Sequence, residues 1–159
     1  MPTTSLNSLL SRWLRLPRFK ASHSSDVHAP AATVRILAIT SDDRFYACLV
    51  DVATSSGWEI RRGSTIQEGL DTVRSQHMPL VILDWDESAH DWRHGLERIW
   101  AAPNHPCVLL ASRVIDDNLR QEVQRHHGYD VVPRTGDRDQ IVRTVEFAWF
   151  WTTHKHASI

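Results

Sequence analysis

Residues 79–86 read PLVILDWD: four consecutive apolar side chains, Leu80 to Leu83, run straight into Asp84. A stretch so short and so continuously apolar is a strand with neither face in water, because a half-buried strand would alternate apolar and polar residues. The same signature recurs upstream in VRILAIT (34–40) and downstream in CVLLAS (107–112). Shorter strands are predicted at 58–61 and in DVV at 130–132, and helix-period stretches lie at 43–56, 65–76, 91–101, 116–127 and 138–153. Five strands alternating with five helices predict an α/β domain: a doubly wound, five-stranded parallel sheet with helices on both faces, of the flavodoxin-like type.

In open sheets of this kind, ligands and chemistry gather outside the carboxyl ends of the strands. That directs attention to Thr40–Asp43, Asp84–Glu87, Ala111–Arg113 and Pro133–Thr135.

Outward from the sheet, the folded domain is expected to span 34–153, with a tail at 154–159. Residues 19–33 are rich in Ser, Ala, His and Pro and have no period, which marks a linker. Before it, Leu6, Leu9, Leu10, Trp13 and Leu14 recur at helical spacing up to Pro17, a short amphipathic helix with Arg12 and Arg15 off its stripe. Residues 1–33 carry Arg12, Arg15, Arg18 and Lys20 against Asp26 alone, in a chain whose formal charge is −1. The basic charge is local, so the chain as a whole does not read as a nucleic-acid binder. A helix this short holds a membrane only weakly, and no apolar run is long enough to span one, so no stable membrane insertion is expected. Cys48 and Cys107 lie in apolar stretches, where a free thiol packs as a small hydrophobe. With no secretory signal, the expected compartment is the reducing cytoplasm.

The ordered segments resemble the receiver domain of bacterial response regulators. The resemblance covers about 34–153 and is carried by GWEIRRGSTIQEGL (57–70), PLVILDWD (79–86), HPCVLLAS (105–112) and GYDVVPR (128–134). It implies a phosphoacceptor carboxylate at Asp84 and a divalent cation, Mg²⁺, held by that aspartate and an acidic pair after the first strand. A carboxylate attacking a phosphoryl group brings negative charges together, and the cation with its oxygen ligands offsets that repulsion. At the acid-pair positions this chain has Thr40 and Ser41, with Asp42 next in line as a substitute metal ligand or as the counterpart of the family's variable third acid, and Asp43 as the expected cap of the first helix. The family's hydroxyl position falls on Ala111, with Ser112 one residue late. At the family's lysine stands Arg134, whose planar fork is not interchangeable with a compact ammonium. These departures argue against ordinary Mg²⁺-dependent phosphorylation and describe a pseudo-receiver.

Asp84, Asp86, Glu87, His90 and His94 include a pair of histidines one helical turn apart, but a polar loop and solvated helix start explain them better than a metal site. The last helix carries more apolar surface than one core-facing stripe needs, and Trp149, Phe150 and Trp151 are the expected interface residues. No Gly-rich phosphate loop, Cys-x-x-Cys or Ser/His/Asp set is present, so nothing points to an enzyme. The expected function is a stand-alone receiver-like protein in two-component phosphorelay signalling. Its partners would be proteins, a histidine kinase or a second copy among them. The alternatives are a phosphorylation-independent interaction or scaffold module and a flavodoxin-like small-ligand binder.

Overall fold

The structure, a computed structural model, describes residues 32–85, 91–135 and 137–155. The basic N-terminal segment, together with Asp86, Glu87 and His90, lies outside the described residues. The elements run β1 (Arg35–Ile39), α1 (Asp43–Ser56), β2 (Glu59–Gly63), α2 (Ile66–Ser75), β3 (Leu80–Asp84), α3 (Trp92–Trp100), β4 (Cys107–Ser112), α4 (Asp117–Arg125), β5 (Asp130–Pro133) and α5 (Arg138–Lys155). All strands pair in parallel, in the order β2-β1-β3-β4-β5. The expected doubly wound sheet is the observed one.

Side-chain alternation along the central strands divides the core in two. Leu37 and Ile39, Val81 and Leu83, and Val108 and Leu110 face α2, α3 and α4, which bring Leu70, Val73, Leu96, Ile99 and Val123. Ile36 and Ala38, Leu80 and Ile82, and Cys107 and Leu109 face α1 and α5, which bring Phe45, Leu49, Val52, Ile141, Val145 and Ala148. Both faces of β1, β3 and β4 are therefore dry, which is why their sequences do not alternate. Cys107 belongs to this packing, and burial pushes its thiol up to about 12, so it is an inert hydrophobe at neutral pH.

Local chemistry sets the helix ends. Thr65 accepts the Glu68 N–H at the start of α2, and Asp91 and Asp116 do the same for Arg93 and Leu119 at the starts of α3 and α4. Gly57 closes α1 at φ +71°, a left-handed conformation open to glycine without a Cβ penalty. Gly69 lets α2 approach β1 closely, since a Cβ there would collide with Ile39.

Two boundaries differ from the sequence reading for identifiable reasons. β2 begins at Glu59 and continues to Gly63, because this edge strand stays paired with β1 through Arg61 and Arg62, whose charge reads as loop. Arg62 then donates Nε–H to the Thr40 carbonyl and pairs with Asp43 at 2.8 Å. Asp43 was expected to cap α1, but Asp42 is the cap, accepting the Arg44 and Phe45 N–H groups at 2.9 and 3.1 Å. Asp43 is the first helical residue.

Candidate functional site

The carboxyl ends of β1, β3 and β5 bring Thr40, Asp42, Asp84 and Arg134 together from separations of up to 92 residues. Asp84 ends β3 in register with Ala111 of β4, and its side chain is only 4% exposed. Arg134 follows Pro133 at the end of β5, where its N–H donates to the Ser112 carbonyl at 2.9 Å. This anchors the backbone that carries the guanidinium, itself 10% exposed.

That guanidinium meets Asp84 side-on. Nη2 donates to Oδ2 at 3.2 Å, and Nε stands 2.8 Å from Oδ1 as a close ion-pair contact whose angle is too bent for a hydrogen bond. The same Nη2 donates to Asp42 Oδ2 at 2.9 Å. Thr40, buried at the first acid-pair position, donates its hydroxyl to Asp84 Oδ2 at 2.7 Å and accepts the Asp42 N–H at 3.0 Å. Ser41, at the second position, is exposed.

Asp42 therefore takes the capping role expected of Asp43 and also reaches the site. One oxygen caps α1, and the other reaches the site. The Phe45 N–H above all, then that of Arg44 and the charges of Arg134 and Arg113, hold its carboxyl below the usual carboxylate range against the opposing effect of burial.

The hydroxyl position is vacated. Ala111 is fully buried in the core face covered by α1 and α5. Ser112 points its side chain the other way along the strand and turns it into its own loop, donating to the Val114 carbonyl at 2.8 Å and accepting the Val114 N–H. No described hydroxyl replaces the one the family places there, and among the described residues the hydroxyl bonded to Asp84 is that of Thr40.

An open cavity of 410 Å³ lies over this network, lined by Ser41, Asp42, Trp85, Ser112, Arg113, Val114 and Arg134. Arg134, not Asp84, forms its wall. Asp84 borders a wider cleft of 920 Å³ between the starts of α2 and α3.

A receiver's divalent cation would need several oxygen ligands around one point, at about 2.0–2.1 Å for Mg²⁺. Here the acid pair is Thr40 and Ser41, and both Asp42 and Asp84 already hold Arg134. Among the described residues no three His, Cys, Asp or Glu side chains gather into a metal-binding group, and His94 stands exposed on α3. The residues present do not fit the cation.

The second candidate region is α5. Phe150 and Trp151 are 60% and 44% exposed. Trp149 is the correction: it is half-buried against the core, because it lies one helical repeat from Val142 on the side facing inward. Phe147, which shares a stripe with Trp151 one turn away, is 67% exposed.

No protein-family model matches the chain, and no curated protein does. Solved structures do. A response regulator from Thermotoga maritima is 14% identical, covering 74% of this chain and 98% of its own, with a TM-score of 0.66. A response regulator receiver domain protein from Methanospirillum hungatei is 11% identical, covering 78% and 99%, at 0.68. A beryllofluoride-activated receiver domain dimer solved in solution is 13% identical, covering 76% and 99%, at 0.66. At these identities the likeness is one of fold, and residues 32–155 have the flavodoxin-type fold of response-regulator receivers.

Proposed function

We propose that this chain is a receiver-like module of two-component signal transduction that works through protein contacts of α5 and does not depend on phosphorylation of Asp84. The observation that carries the reading is the Arg134 guanidinium lying against both Asp84 and Asp42, with Thr40 bonded to Asp84 on the other side. An aspartate whose oxygens are tied in this way is a poor nucleophile, and the ligands that would bring a cation to it are already engaged. Exposed Phe147, Phe150 and Trp151 support the second half, since large rigid rings bury much area on a partner at small entropic cost. A similar receiver domain is a dimer, so a second copy is one partner of suitable kind.

The competing reading is conventional phosphotransfer to Asp84, favoured by its place at the end of β3. Intact-protein mass after incubation with Mg²⁺ and acetyl phosphate separates the two. The proposal expects wild type and Asp84→Asn to stay equally unmodified. A phosphoryl adduct on wild type that disappears in Asp84→Asn would establish the conventional switch.

A further inference from the structure

Arg134 Nη2 is the single point at which the two carboxylates converge, 2.9 Å from Asp42 Oδ2 and 3.2 Å from Asp84 Oδ2. A positive centre held between carboxylates from the ends of β1 and β3 stands where a hard cation would stand if those carboxylates were its ligands. We infer that the Arg134 guanidinium is a resident cation that takes this position and denies the site to Mg²⁺ and Mn²⁺. The inference rests on the phosphorylation-independent reading and supplies its cause.

Among the described residues, the other side-chain oxygens of Asp42 and Thr40 are already engaged. Asp42 Oδ1 is engaged by the N–H groups of Arg44 and Phe45. Thr40 Oγ1 donates to Asp84 and accepts from Asp42. A divalent ion would have to strip these bonds and then lie beside a guanidinium it repels, with Arg113 adding a second positive charge at the mouth. The exclusion is thus built into the wild-type chain by the position of Arg134 between the two carboxylates. Remove the guanidinium, and Asp42 Oδ2 and both oxygens of Asp84 lose it as a partner while still facing one another, an arrangement that a hard oxygen-seeking cation relieves.

The test uses Mn²⁺, counted as free ion by electron paramagnetic resonance, against wild type, Arg134→Met and the double variant Arg134→Met with Asp84→Asn. The single variant is expected to take up one Mn²⁺ at least about tenfold more tightly than wild type, with Mg²⁺ competing for it and the double variant losing the gain. Its melting temperature should rise with added Mn²⁺, while that of wild type stays where it is. Should Arg134→Met not fold, Arg134→Gln gives the same comparison, because its amide keeps a donor for the carboxylates but removes the charge that excludes a cation. Wild type binding Mn²⁺ as tightly as the variants, or neither variant binding it more tightly than wild type, would overturn the inference. The acetyl phosphate experiment keeps the two failures apart: modification of wild-type Asp84 sinks the functional reading, whereas unmodified wild type with metal-blind variants sinks the resident cation alone.

Discussion

The pocket at the carboxyl edge of the sheet and the outer stripe of α5 are opposites. In the pocket, where receiver chemistry needs open polar groups, the carboxylates are tied within the chain and Asp84 is 4% exposed. On α5, where a covering helix has no structural use for apolar groups facing outward, Phe147 is 67% exposed and Phe150 60%. The pocket groups bond to one another; among the described residues the outer aromatics of α5 stay largely exposed. Under the proposed reading, recognition falls to the helix, and the Arg134 network holds the strand ends together.

The contrast is sharpest in stability. Arg134→Met breaks an almost fully buried ion pair and leaves Asp84 uncompensated, and should cost about 3 kcal/mol in urea unfolding. A loss near zero would mean that the network is ornamental and the pocket open. On α5, two neighbouring aromatics should behave differently. Trp149→Ala removes packing against the core and should cost about 2 kcal/mol, whereas Phe150→Ala should stay within about 0.5 kcal/mol of wild type. Equal costs would erase the distinction between the inward and outward stripes. Thr40→Val removes the donor to Asp84 and the acceptor for the Asp42 N–H, and should cost about 1.5 kcal/mol by the same measurement.

The smallest effect is in pH. The Asp42 carboxyl is held below its ordinary value of 3.8, first by the Phe45 N–H, so its ionised form binds the native structure better than the unfolded chain. That stability is fully present above the ordinary carboxylate range and is lost as pH falls below it, through the lowered value. Acid unfolding should therefore separate wild type from Asp42→Asn at pH 6 and bring them together in strong acid. A gap that does not narrow on acidification would remove Asp42 from the network.

The sheet was legible because burial on both faces leaves an unmistakable pattern in VRILAIT, LVIL and CVLLAS, and because caps such as Thr65 and Asp116 sit just ahead of periodic stretches. The extent of β2 was not legible, since an edge strand tolerates the charges of Arg61 and Arg62 that elsewhere signal a loop. At the site, the identities of Thr40, Asp42, Asp84, Ala111 and Arg134 could be read from their order along the strands. Their bonding could not. Whether Arg134 reaches one carboxylate, two or none depends on the twist of β5 against β1 across the sheet, and residues 92 positions apart leave no local signal of it. The exposure of Phe147 over Trp149 was likewise a matter of helical phase relative to a core that only the packed sheet defines.

If phosphorylation of Asp84 plays no part, as proposed, a phosphoryl mimic should leave both the pocket and α5 unchanged. Amide NMR of the isotopically labelled protein, titrated with beryllofluoride and Mg²⁺, tests it most directly. The account predicts that the resonances of Asp84, Ser112, Arg134 and the α5 residues 147–151 stay in place through the titration. Saturable shifts that begin at Asp84 and Arg134 and extend into α5 would contradict it and restore a working receiver switch.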